Sequence, residues 1–269
     1  MNGFTVPLAF LRKDFLEESS YRLQFVLGLG FVVAQLTFLA LLSEFVGPLV
    51  AGEEGLDTGY LGFVLLGLCT LDLLDTAVSQ LSRSLRRAQT LGTLEALLAT
   101  RTGMPTLILS MPLFAFARSG LRTFAFLVLG WAFFGLPFHP RSLAAAALAF
   151  VVTAGAFACI GVATAGLTIA FKRTQFVDSA ITLASIFLGG VWYPREVLPD
   201  WLDHVAQLLP ITPALGAIRG AVLEGRGLAE IAPQLAHVAV LGIVVLGPAI
   251  ALFRWSVRAA MRVGPLTQY

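Results

Sequence analysis

Three acids stand within or beside apolar stretches where a charge is costly: Asp72 and Asp75 in residues 60–81, and Asp178 near the start of 176–193. A carboxylate at membrane depth marks a polar pathway, a subunit contact or a proton relay, or else pairs with a Ser, Thr or Arg of a neighbouring helix. Asp72 and Asp75 are three residues apart and so share a helix face. Other chemistries lack their residues. A phosphate cradle of the form G-x-x-x-x-G-K-[ST] needs a lysine directly after glycine, but the two lysines are Lys13, after Arg12, and Lys172, after Phe171. His139, His204 and His237 lie apart, without Cys or carboxylates at metal spacing, so no metal site is expected. Neither a G-x-S-x-G elbow nor an H-E-x-x-H pair is present. Cys69 and Cys159 lie in apolar runs, as small buried hydrophobes do. The chain is expected to be no enzyme and to hold no cofactor of its own.

The elements that must position these acids are membrane helices. Of 269 residues, 57% are hydrophobic and 13% charged, and the mean hydropathy is +0.84. A hydrocarbon core of about 30 Å takes roughly 20 apolar residues per crossing, so this length holds about six spans. The apolar runs are too long and too unalternating for barrel strands, which leaves an all-α polytopic membrane protein. Spans are predicted near 21–45, 60–81, 107–134, 143–171, 176–193 and 234–253. Pro112 breaks the start of the third, where Arg118 and Arg122, one turn apart, can snorkel to the near surface. The fourth is rich in Ala and Gly and suits the inside of a bundle. Residues 5–19, with Leu8, Leu11 and Phe15 on one face and Arg12, Lys13 and Asp14 on the other, predict an amphipathic helix lying at the interface. The charged N-terminus has no signal-peptide pattern, so no cleavage is expected.

Basic residues orient the chain. Fourteen of the 18 Lys and Arg fall on the side of both termini, and four, Arg141, Arg195, Arg219 and Arg226, on the other. The positive-inside rule therefore puts both termini, and the polar segment 82–102, in the cytoplasm. That segment ends in Leu91, Leu94, Leu97 and Leu98 at helical spacing, a face that can rest on lipid or fill a groove in a soluble partner. On the opposite side, within 189–225, Pro199 and the pair Thr212-Pro213 each start a helix of about 10 to 13 residues, too short to cross. These two fit a pair of helices dipping back from the outer surface, or an amphipathic loop on the headgroups.

Residues Gly92-Thr93-Leu94-Glu95-Ala96-Leu97-Leu98-Ala99-Thr100 resemble the coupling helix of type-2 ATP-binding-cassette (ABC) transporter permeases, a G-T-L-E-x-L-L-x-T-P pattern in which Arg101 here takes the place of proline. Gly189-Gly190-Val191-Trp192-Tyr193-Pro194, Leu198-Pro199-Asp200-Trp201-Leu202 and Leu209-Pro210-Ile211-Thr212-Pro213 are similar to the signature before the family's last span. Ser20-Tyr21-Arg22 and the closing Gln268-Tyr269 resemble one prokaryotic branch.

The resemblance implies a permease of the prokaryotic inner membrane, pairing with a second copy or close homologue. A separate ABC ATPase subunit would hold ATP and Mg. Gly92, Thr93, Leu94, Glu95, Leu97, Leu98 and Arg101, with the N-terminal helix, would contact that ATPase. Gly190, Tyr193, Pro194, Pro199, Trp201, Pro210 and Pro213 would belong to an extracytoplasmic gate. Membrane lipid is a further expected partner and nucleic acid is not. Two other readings stand beside the exporter: a secondary transporter coupling protons through Asp72, Asp75 or Asp178, and a membrane scaffold that transports nothing. The two halves of the chain carry no similarity of the inverted-repeat kind that the first of these would favour.

Overall fold

Backbone N–H and C=O groups in hydrocarbon must bond within the chain, so a sequence this apolar is driven to helices. The structure, a computed structural model, describes residues 5–19, 22–50, 59–90, 110–136, 139, 142–171 and 175–263, and among them every long element is an α-helix. In order these are α1 (Thr5–Ser19), α2 (Arg22–Val50), α3 (Tyr60–Thr90), α4 (Leu113–Phe134), α5 (Leu143–Phe171), α6 (Gln175–Leu188), α7 (Asp200–Gln207), α8 (Ile211–Val222) and α9 (Leu228–Val263). A 3-10 turn, Arg195–Val197, links α6 to α7.

Five helices, α2, α3, α4, α5 and α9, are long and apolar enough to cross a membrane. The protein is thus a polytopic all-α membrane protein, with α6 as a shorter apolar helix and α7 and α8 as a pair bent by 84°. α3 is the axis of the bundle: 67% of its span is buried, against 28% or less in the other four. It packs on α2, α4, α5, α6 and α8. Leu73, Val78, Phe157, Val191 and Leu215 close the core where α3, α5, the α6–α7 turn and α8 meet. Side chains that face away, such as Phe31, Phe38, Phe45 and Val244, are exposed and apolar, as a lipid-facing surface requires.

Small residues set the close approaches, as the Ala- and Gly-rich fourth span predicts. A Cβ on Gly161 of α5 would collide with the Ala77 carbonyl of α3. Beside it, the Thr164 hydroxyl donates to the Val78 carbonyl at 2.8 Å, and Thr168 to the Ser82 hydroxyl at 3.1 Å. On the other flank of α5, a Cβ at Gly242 of α9 would stand 2.9 Å from Ala156. α5 is thereby locked between α3 and α9.

Several boundaries differ from expectation. α3 continues past residue 81 to Thr90, because Arg83, Arg86 and Arg87 are good helix formers and nothing between 82 and 90 stops a helix. The predicted fifth crossing, 176–193, ends at Leu188, where Gly189 and Gly190 follow and Gly190 takes a φ of 71°. At 14 residues, about 21 Å, α6 falls short of a bilayer core. α9 begins at Leu228, ahead of Pro233, because the Glu230 carboxylate accepts the Gly227 N–H at 3.0 Å and caps an earlier first turn. α8 starts at Ile211 rather than being capped by Thr212, whose hydroxyl instead donates to the Ala206 carbonyl at 2.6 Å and holds α7 to α8. α4 begins at Leu113, directly after the predicted break at Pro112, and closes on Gly135 at a φ of 63° with Leu136 N–H bonded to the Gly130 carbonyl.

Candidate functional site

The three acids are divided between two places. α3 turns Asp72 toward α4, where Ser119 and Arg122, three residues apart, occupy one helix face. Arg122 Nη1 lies 2.6 Å from Asp72 Oδ1, and Ser119 Oγ donates to Oδ2 at 2.8 Å. Both carboxylate oxygens are therefore engaged by charge or hydrogen bond. Arg122, expected to snorkel to the surface, is held by that pair instead. Asp75, one turn along, faces a different neighbour: Arg83 stands 3.6 Å from its Oδ2 and also donates to Ser79 Oγ.

Asp75 and Asp178 meet across a cleft of about 570 Å³ between the basic end of α3 and the first turns of α6. Ser79, Ser82, Arg83 and Arg86 line it from α3; Asp178, Ser179 and Thr182 line it from α6, where the lining stops at Leu183. Asp178 Oδ1 and Thr182 Oγ1, one turn apart on α6, are both enclosed and make no hydrogen bond among the described residues. A carboxylate oxygen only accepts, so the group that would complement Asp178 brings a donor. Two carboxylates, two guanidiniums and a row of hydroxyls make a surface for a polar or zwitterionic head group rather than for a bare apolar one.

A second cleft, of about 360 Å³, opens at the other end of α6, where its lining begins at Gly189 and includes Pro194, Arg195, Gln207, Arg219 and His237. Of the residues expected in a gate, Pro194 and Pro213 line it, and the Gly190 carbonyl accepts from its lining residue Arg219. Gly190 makes the turn, Pro194 precedes the 3-10 turn, Pro199 and Pro210 stand directly before α7 and α8, and Pro213 is buried in the first turn of α8. Tyr193 donates its hydroxyl to the Phe187 carbonyl, closing the turn back on α6. Trp201 is 69% exposed on α7 and is not part of the cleft's lining. Arg195 and Asp203 add an ion pair at 3.4 Å.

Arg219, one of the four basic residues on the side opposite the termini by sequence, is the most heavily bonded side chain here. Its Nε and Nη2 donate to the Phe63 carbonyl at 3.2 and 2.9 Å, Nη1 to Gly190 O at 2.9 Å, and Nη2 to Val191 O at 3.2 Å. Its Cζ lies 3.5 Å from the centroid of the Phe63 ring. The signal that marks it is a lone cation in an otherwise apolar twelve-residue helix. Arg83, paired within α3, and Thr182 on α6 come together only because the two helices face each other across the first cleft. Gly92, Thr93, Leu94, Glu95, Leu97, Leu98 and Arg101 lie outside the described residues.

Comparison with known proteins covers most of the chain. Residues 9–223 match a family model described as ABC-2 type transporter. The chain is 26% identical over 231 residues to Nodulation protein J of Bradyrhizobium diazoefficiens, spanning 84% of this chain and 85% of that protein. It is 24% identical over 200 residues to Nodulation protein J of Sinorhizobium fredii, spanning 74% and 75%. It is also 23% identical over 191 residues to Inner membrane transport permease YadH of Escherichia coli K12, spanning 70% and 72%.

Proposed function

Because this chain belongs to the ABC-2 type transporter family, its helices form the membrane subunit of an ABC transporter, and we propose that it is an exporter permease working as a dimer. The other member of the dimer is a second copy or a close homologue. Both termini, residues 82–102 and the cleft holding Asp75 and Asp178 face the cytoplasm of a prokaryote, across the inner membrane. A separate ABC ATPase, carrying ATP and Mg, docks on residues 92–100 and on α1. Closure of the ATPase dimer around ATP pushes those residues and switches the path from inward-open to outward-open, which requires contacts that differ between the two states.

The match over residues 9–223 carries this reading, and the paired clefts at the two ends of α6 support it physically. The cytoplasmic cleft supplies a polar mouth, with Asp178 accepting from the passenger and Asp75 held beside Arg83. The outer cleft, under α7 and α8, supplies the exit. Asp72, bonded to Arg122 and Ser119, serves packing rather than passage.

The experiment is co-purification with an ABC ATPase of the same organism, taken first from any gene adjacent to this one. Unsubstituted permease is expected to elute with two ATPase subunits per permease dimer and to alter their hydrolysis rate. Leu94→Asp with Glu95→Arg is expected to reduce bound ATPase or permease-dependent hydrolysis at least tenfold. An unchanged complex with unchanged hydrolysis would overturn the coupling assignment.

A further inference from the structure

The proposed coupling segment follows the basic end of α3 in sequence, and the proposed outer gate packs against the other end of α3. α3 is one unbroken helix of 31 residues, about 46 Å long, without an internal proline. At its basic end, Thr90 leads to residues 92–100 with only Leu91 between. Its other end carries Phe63, which meets Arg219.

The Arg219 guanidinium reaches the carbonyls of Phe63, Gly190 and Val191, so one side chain of α8 is bonded to α3 and to the turn after α6 at once. A guanidinium suits this position because its rigid planar fork holds several acceptors in one plane, whereas an ammonium's three donors spread from a single nitrogen. Stacking on the Phe63 ring fixes the plane. The surroundings are built to the same tolerance. A Cβ on Gly67, one turn below Phe63, would collide with the Val191 carbonyl, so the turn is pressed directly against the α3 backbone. Ile211, Ala214 and Leu215 behind it are buried and move as part of α8.

From this geometry we infer that Arg219 is a positioning residue that ties the outer gate to α3, so that displacement of α3 at the ATPase end is delivered to α7, α8 and the turn at 189–193. The inference rests on the exporter reading above. α6 cannot do the same, since it ends at Leu188 on a glycine pair. A static staple would contribute stability alone; a transmitting one also determines whether the gate responds to nucleotide.

The test uses the full permease–ATPase complex in nanodiscs, in a Cys69→Ala, Cys159→Ala background. Gln207→Cys provides the reporter, because Gln207 is exposed and lines the outer cleft. The maleimide modification rate at position 207 is measured without nucleotide and with ATP, Mg and orthovanadate. With Arg219 intact the two rates are expected to differ at least threefold. With Arg219→Met the difference is expected to vanish while ATPase still co-purifies, and Arg219→Lys is expected to retain part of it. If Arg219→Met does not assemble, Arg219→Lys decides: a reduced response supports the inference and a full one overturns it. A response in Arg219→Met equal to the parent's, even with a lower Tm, reduces Arg219 to a staple and overturns it as well. A parent that binds its ATPase but gives no nucleotide response overturns this inference alone. A parent that binds no ATPase overturns the exporter reading, and this inference with it.

Discussion

Asp72 and Asp75 are neighbours on one helix with opposite prospects. Asp72 is 28% exposed and spends both oxygens on α4, whereas Asp75 is 53% exposed and its Arg83 partner stands farther away. Removing one member of a desolvated pair leaves the other charge uncompensated, while removing both does not. Asp72→Leu is therefore expected to cost about 1–3 kcal/mol after discounting for partial exposure. The double substitution Asp72→Leu with Arg122→Leu should recover most of that loss. Tm in detergent checks the cycle, and a double variant as unstable as the single one would remove the pair's structural role. Asp75→Asn, by contrast, is expected to shift stability by no more than about 0.5 kcal/mol. That carboxylates in an apolar run need partners was legible from residue type. Which partner each takes was not, because Arg122 lies 50 residues along the chain from Asp72 and only packing brings them together.

Between elements, stability depends on which glycines meet a neighbour. Gly161 faces the Ala77 carbonyl with no room for a Cβ, while Gly155, on the same helix, meets nothing within 4 Å. Gly161→Val is expected to separate α3 from α5 and cost about 3 kcal/mol or more, since neither backbone can yield. Gly155→Ala is expected to be neutral or to stabilise by up to about 1 kcal/mol through the unfolded chain. Thermal unfolding of the two variants side by side checks the contrast, and equal effects would mean that the α3–α5 contact is not this tight. The Ala- and Gly-rich composition predicted a close approach by this helix, but the choice among its glycines depends on the crossing point. Element ends were legible where a residue forces them, as at Pro112. They were missed where several weak signals compete, as at residues 82–90, where arginines read as a polar break after the span yet extend its helix, and at Gly189-Gly190, where a span was expected to continue.

For the whole molecule, the order of long apolar helices was legible from composition and length, because lipid permits so few alternatives. Orientation is a separate matter, set by the asymmetry of Lys and Arg. On intact cells, an impermeant maleimide is expected to label Gln207→Cys and to leave Arg258→Cys unlabelled until the membrane is opened. The reverse pattern would invert the molecule and detach the coupling segment from any cytoplasmic ATPase. The shortness of α6 has an electrical consequence as well. On α6 the lining of one polar cleft stops at Leu183 and that of the other starts at Gly189, about 9 Å along the helix, while on α3 their nearest lining residues, Asp75 and Phe63, stand about 18 Å apart. Water filling both clefts of the proposed transporter would conduct far better than packed protein, so a membrane voltage that elsewhere falls across about 30 Å would fall mainly across the protein between them. On the proposed path, a net charge carried from one cleft to the other would do most of its electrical work in that partition, about 2.3 kcal/mol per elementary charge for each 100 mV. The protein between α6's two ends would then act as the dielectric of a capacitor whose plates are the two clefts.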